Sequence, residues 1–448
     1  MTDAEQRLSE VLHGHQQRIL VRWTGYEKIL LFELARALDS AAFSQLFAFE
    51  QGSEDPRRTM LLGGATALLP LLERVKGTEG GVPWVLADEP LLRLADSHLH
   101  YCGRLANLLR LAALERYGLA KSTFVTPNHL RLEIVNGDIE YEDMHAVSHV
   151  HNRDEHDQPF QLFPQSAELL RRIDAYVDVE PSGLIRYDND DDLIEYYSTL
   201  AARRAQWFLE GEALPPDAVI GGRSFARWLE AAVAASGREL QHIAFAIALA
   251  SKRPELSLRN LVTLFVRRDD LHEVLLRFDE PPSYALELVR ALTLDDVAAA
   301  ACIADYEVPV PFYIDLGRDF VLLPCLGALL NPVATLVRFL RSQYRLDWDR
   351  AVERREDLFR ADIRRVFPVP RFHVPESGIQ LRRQDRSVIT DIDAVVLDNA
   401  TGSLALVQLK WHDIYGRSLK ERDSRRRNLL DANKWVTRVR QWIDGRSA

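Results

Sequence analysis

Cysteine is scarce: Cys102, Cys302 and Cys325 are the three in 448 residues, and they lie far apart. An odd, scattered set excludes a disulfide framework and fits a reducing compartment, so a cytoplasmic location is expected. The opening residues, MTDAEQRLSE, carry no apolar signal segment. Long hydrophobic runs are equally rare. Only FVLLPCLGALLNPVATLV (residues 320–337) approaches spanning length. Pro324, Asn331 and Pro332 interrupt it, which predicts a strand and a buried helix rather than a membrane span. No Walker-type glycine-rich loop occurs, so an energy-consuming step would need a separate subunit. No repeat of fixed period is present, although helix pairs of similar length can form a loose stack. The acidic run at residues 188–192 (DNDDD) lacks the glycine and closing glutamate of a calcium loop and reads as a solvated helix start.

What is present is ordinary in amount and uneven in distribution. Hydrophobic content of 47% and 27% charged residues suit a globular chain long enough for two or three domains. The net charge is −10, yet from residue 345 onward Lys and Arg number 22 against 16 Asp and Glu, the rest holding 34 against 50. An acidic body with a basic C-terminal part confines any nucleic-acid contact to that part.

Apolar spacing predicts helices over residues 1–120 and again from 166 to about 304. Between them, LRLEIVNGDIEYEDM places Asn136-Gly137 between two candidate strands, a hairpin signal in residues 124–145. A histidine-rich stretch follows, with His145, His149, His151 and His156. Its spacing matches no ligand pattern, so it reads as a polar loop, metal binding being the alternative. At 308–324 the chain turns β-like, with Gly317-Arg318 between two apolar runs. The expected organisation is multidomain α+β: a mainly helical region over 1–305, regulatory or partner-binding, then an α/β domain over 306–448.

The chemistry-bearing stretch is ITDIDAVVLDNATGSLALVQLKW (residues 389–411), two candidate strands joined by a turn. Period-2 alternation puts Asp391 and Asp393 on one face with Val395 and Leu397. On the next strand Leu404, Leu406, Gln408 and Lys410 share a face, and Ala405, Val407, Leu409 and Trp411 share the other. A strand apolar on both faces is expected to be buried, so a lysine at its end needs a reason other than water. Upstream, residues 349–367 read as one helix whose stripe is Val352, Phe359, Ile363 and Val366. Glu356 falls on that stripe, where a carboxylate needs a metal or a cation beside it. Downstream, Leu429, Ala432, Val436, Val439 and Ile443 form the expected buried stripe of a last helix. Arg427, Lys434 and Arg438 lie opposite, with Arg425 and Arg426 at its start. Such a row can contact phosphates or be a plain solvated face.

Helix with inward Glu356, strand over 371–382, strand with Asp391 and Asp393, strand with Gln408 and Lys410, basic helix: this order resembles the PD-(D/E)XK nuclease superfamily, the restriction-endonuclease-like fold. Its motif, an acid on one strand and (D/E)-x-K on the next, is met here by D-I-D and Q-L-K. The resemblance covers roughly the last 100 residues. It departs from the family at Gln408, although Q-x-K variants occur among methyl-directed type IV restriction enzymes and related defence nucleases. It departs again in the closing strand, which is either missing or replaced by an upstream one such as residues 319–323. The resemblance implies divalent-metal-dependent hydrolysis of phosphodiester bonds in DNA, or RNA, in bacterial defence. It implies Mg²⁺ or Mn²⁺ held by Asp393, Gln408, the Leu409 carbonyl and Glu356, with Lys410 stabilising the attacking water or the phosphate. Asp391 is a second acid or a strand-end group. The alternatives are a catalytically inactive nucleic-acid-binding or assembly module of the same fold, and a helical scaffold that docks partners, a second copy or a defence-system subunit among them.

Overall fold

The computed structural model describes residues 1–47, 56–82, 89–126, 129–135, 161–180, 185–275, 280–383, 385–409 and 419–444. It is mixed α and β, mainly helical, with small sheets. Among the described residues no helix is long and apolar enough to cross a membrane, and all three cysteines are free and buried. Two compact units emerge: Met1–Gly211 with Ala226–Gln343, and Glu212–Phe225 with Tyr344–Ala448.

The first unit starts with four long helices, α1 (Asp3–Arg22), α2 (Glu27–Phe47), α3 (Pro56–Val75) and α4 (Glu89–Ala113). Thr2 and Glu5 form a reciprocal capping box at the start of α1, satisfying two free N–H groups. Helices α3 and α4 cross at glycines. A methyl group on Gly63 would lie 2.2 Å from the Leu99 carbonyl oxygen, and one on Gly103 only 1.7 Å from that of Thr59. Missing Cβ atoms therefore set how closely these backbones approach.

The hairpin after α4 is β1 (Ala120–Thr126) with β2 (His129–Ile134), antiparallel. The expected first strand of the Asn136-Gly137 pair is present as β2, which pairs with β1 upstream. Asn136-Gly137 and the histidine-rich stretch lie outside the described residues. Helix α5 (Ala167–Tyr176) and a short pair, β3 (Val177–Val179) and β4 (Ile185–Tyr187), lead to α6 (Asp191–Gln206). The acidic run is the start of α6, as expected: Asp190 caps it by accepting the Leu193 N–H at 3.0 Å, and Arg172 pairs with Asp190 and Asp192.

After β5 (Val219–Ile220) and β6 (Arg223–Ser224) come α7 (Phe225–Lys252), α8 (Leu258–Leu261), β7 (Leu264–Arg267), α9 (Arg268–Leu275), α10 (Pro282–Ala291), β8 (Thr293–Leu294) and α11 (Asp296–Asp305). The expected hairpin at Gly317 forms, as β9 (Tyr313–Asp315) and β10 (Phe320–Leu323), with Gly317 at φ +107°. These strands complete a sheet of order β7-β10-β9-β8. A boundary near 305 would cut that sheet, so the first unit runs on to Gln343 through α12 (Leu326–Leu330) and α13 (Ala334–Gln343). For the same reason residues 319–323 do not supply a closing strand to the second unit.

In the second unit the helix expected over 349–367 is two, α14 (Arg345–Glu353) and α15 (Arg355–Val366), broken at Arg354. Residues 212–225 fold against this pair. The Gly221 N–H donates to Asp347 at 3.0 Å, Arg354 pairs with Asp217 at 2.9 Å, and Arg355 donates to the Ala213 carbonyl. There follow β11 (Phe372–His373), β12 (Ile379–Arg382), β13 (Val388–Ile392), β14 (Ala394–Asp398), β15 (Leu404–Val407) and α16 (Leu419–Asp444). Strands β13 and β14 are one run with a bend at Asp393. β12 pairs with the first part, β11 with the second, and β15 lies along the other edge of β14, all antiparallel. The result is a three-strand meander between two helices in sequence.

Candidate active site at the strand bend

The bend at Asp393 alters the alternation that the sequence suggests. Ile392 and Val395 belong to one core cluster with Leu381 and Val439, so the inward face changes parity between them. Asp391 is exposed while Asp393 is buried, at 8% exposure. The two aspartates therefore do not share a site, and Asp391 is a strand-end group whose carbonyl accepts from Trp435 Nε1 at 2.8 Å. Glycine is required beside the bend, because a Cβ on Gly378 would sit 2.6 Å from the Ile392 carbonyl oxygen.

The Asp393 N–H continues the ladder to the Val407 carbonyl at 3.1 Å. This sets the Asp393 carboxylate against the residues just past β15. Its Oδ2 accepts the Leu409 N–H at 2.7 Å and the Gln408 Nε2–H. Asp393 and Gln408 thus meet, as their positions on neighbouring strands suggest. Lys410, the remaining member of the motif, lies outside the described residues.

Glu356 is half-buried in the first turn of α15. The break at Arg354 removes Val352 from its helix, and of the expected stripe Phe359 and Ile363 are half-buried while Val366 is exposed. One turn beyond Glu356, on the same face, stands Arg360. Its Nη1 donates to the Asp393 carbonyl at 3.3 Å and its other arm pairs with Asp357. Sequence reasoning passed over Arg360, although its i+4 spacing from Glu356 was readable.

Leu409 is buried, and with Phe359, Asp362, Ile363, Val366 and Phe367 it lines an open groove of ≈ 400 Å³ between α15 and the end of β15. The groove is almost wholly apolar. β15 itself is not the buried strand expected. It is an edge strand with Leu404 59% exposed, because no further strand covers it among the described residues.

Of the expected aliphatic stripe of the last helix Val439 reaches the core cluster, and Trp435 and Trp442, which the sequence marks as core side chains, pack beside it. Trp435, Val439 and Trp442 lie against the core, with Trp442 Nε1 reaching the Arg382 carbonyl at 3.4 Å. Leu429, Val436 and Ile443 are exposed. Tryptophans at i and i+7, with valine at i+4, outcompete the smaller stripe because each ring buries more apolar area and has an N–H to satisfy. Arg426, Arg427, Lys434 and Arg438 are exposed, as a phosphate-facing row requires, and the Arg425 side chain lies outside the described residues. The row is partly neutralised: Arg427 pairs with Asp423 at 2.9 Å and Lys434 with Asp431 at 2.8 Å. Lys434, hydrogen-bonded to it, holds the Asp431 carboxyl below its usual range.

Asp393 and Gln408 offer only oxygen donors to a cation, once the Gln408 amide turns its Oε1 inward. That set suits a hard divalent ion such as Mg²⁺ or Mn²⁺. No protein-family model, curated protein or solved structure matches the chain.

Proposed function

We propose that the second unit is a divalent-metal-dependent nuclease domain of the restriction-endonuclease-like type. DNA is its expected substrate, and bacterial defence is the setting that the motif resemblance suggests. The observation that carries the reading is the meeting of Asp393 and Gln408 at the bend of a three-strand meander flanked by helices, with Glu356 on the preceding helix. Asp393 and Gln408 would hold Mg²⁺ or Mn²⁺, with Glu356 and the Leu409 carbonyl completing the oxygen set. The ion's chemistry is to lower the pKa of a bound water and to neutralise the phosphate. Lys410 follows Gln408 by two residues and would stabilise the attacking water or the developing charge. Arg360 fixes the Asp393 main chain and so positions the carboxylate. Arg426 and Arg438, with Arg425, would contact phosphates without reading sequence.

One observation favours a second reading, an inactive nucleic-acid-binding or assembly module. Asp393 Oδ2 already accepts two N–H groups, so the bend is satisfied without a cation. Purified chain incubated with plasmid, linear DNA and RNA in Mg²⁺ or Mn²⁺ separates the two. Cleavage that is lost in Lys410→Ala while the fold persists supports the nuclease. Binding of nucleic acid without cleavage of any of the three supports the module.

A further inference from the structure

A second cluster of chemistry-bearing side chains lies in the first unit, away from the strand bend. His98 and Cys102 are one turn apart on α4 and both buried, and His15 faces them from α1. His15 Nε2 and His98 Nδ1 are 2.9 Å apart, and Cys102 Sγ is 3.7 Å from His98 Nδ1. One nitrogen from each histidine and the sulfur all lie within 4.8 Å of one another.

We propose that His15, His98 and Cys102 form a transition-metal site for Zn²⁺ or an ion of similar softness. Tetrahedral zinc with its usual bond lengths separates two nitrogens by about 3.3 Å and a nitrogen from a sulfur by about 3.6 Å. The cluster is already near those spacings, so closing it takes side-chain rotations rather than backbone movement. The donor chemistry points the same way, since two imidazoles and a thiolate select zinc-like ions and reject Mg²⁺ and Ca²⁺. Finally, the Ala67 carbonyl accepts from the His98 ring, occupying one nitrogen and turning the other toward His15.

Without a metal, one imidazole N–H bridges His15 and His98, and Cys102 is a thiol whose pKa burial pushes up to about 12. Binding releases the thiol proton to solvent, and His15 moves its own proton to Nδ1. Three protein ligands leave one tetrahedral position, open on the side of half-exposed His15, for water or a small anion. The metal would tie the middle of α1 to α4 next to the Gly63–Gly103 crossing.

Cobalt(II) is the probe, because a thiolate ligand gives it a charge-transfer band that imidazole and carboxylate do not. The full chain is expected to bind one Co²⁺ with that band, to lose the band to stoichiometric Zn²⁺, and to melt at higher temperature with Zn²⁺. Cys102→Ser should abolish the band. His15→Ala, at a half-exposed position and safe for folding, should weaken Co²⁺ affinity about 10- to 100-fold or more. Absence of the band in the wild type overturns the proposal. So does a band that survives Cys102→Ser, or metal binding lost only when His145, His149, His151 and His156 are replaced. None of these readouts depends on nuclease activity.

Discussion

Replacing Asp393 by Asn and by Ala separates its two roles, because one substitution keeps the hydrogen-bond acceptor and the other removes it. In Asp393→Asn, Oδ1 can accept the Leu409 N–H that the carboxylate takes at 2.7 Å, and the Gln408 amide can rotate to accept from the new NH₂. The fold should stay within ~1 kcal/mol of the wild type, the scale of one net hydrogen bond. In Asp393→Ala the buried Leu409 N–H has no acceptor and the end of β15 loses its tie to the bend. That costs about 1–3 kcal/mol for the orphaned donor, with a further ~1 kcal/mol for the lost Gln408 bond. Both variants lack the charge that a divalent ion needs. Metal-dependent cleavage should therefore fall at least about 100-fold in both, as when a principal electrostatic group is removed, while urea midpoints of the second unit's transition separate them. Asp393→Asn cleaving DNA at the wild-type rate would refute the site. Equal stability of Asn and Ala variants would refute the clamp.

Buried Asp39 contributes to the pH dependence of the first unit, in the same sense as Glu239, whose carboxyl burial also pushes up. Burial raises the Asp39 pKa to about 7, despite hydrogen bonds from Thr263 Oγ1 at 2.6 Å and the Cys325 N–H at 2.8 Å. The native state holds a proton that the unfolded chain releases above its lower pKa, so stability falls as pH rises toward 7, by roughly 4 kcal/mol over the whole shift. Asp39→Asn should flatten that loss, read as the urea midpoint between pH 5 and 8; an unchanged slope would contradict the assignment. His242 acts in the opposite sense, since burial lowers its pKa to about 4 although the Leu261 carbonyl accepts its ring N–H. Stability from keeping it neutral is present above its ordinary pKa and is lost as pH falls toward 4, so Asp39→Asn should expose a steeper acid limb in the same titration. Gly103→Ala should cost about 3 kcal/mol or more, because the added methyl meets backbone rather than a movable side chain. Calorimetry of the first unit's transition tests this, and a loss under about 1 kcal/mol would mean the crossing can spread.

Local chemistry was legible in the sequence wherever one short segment decided it. The helices of residues 1–120, the Asp190 cap of α6 and the Gly317 hairpin follow from apolar spacing, a capping aspartate and a glycine with positive φ. The pairing of Asp393 with Gln408 was legible too, since two strands joined by a short turn must lie side by side. Tertiary structure decided what no single segment specifies. Strands β9 and β10 belong to the first unit because β7 and β8, upstream of the expected boundary, carry the edges they pair with. Asp391 and Asp393 part company because the strand bends where it passes from β12 to β15, which flips the side-chain alternation. Helix α16 chose its two tryptophans over an equally periodic aliphatic stripe because the sheet offered carbonyls to their N–H groups. His15 is separated from His98 by 83 positions in sequence. Only the glycine-tight packing of the first four helices brings those imidazoles and Cys102 together, and no spacing rule along the chain encodes that distance.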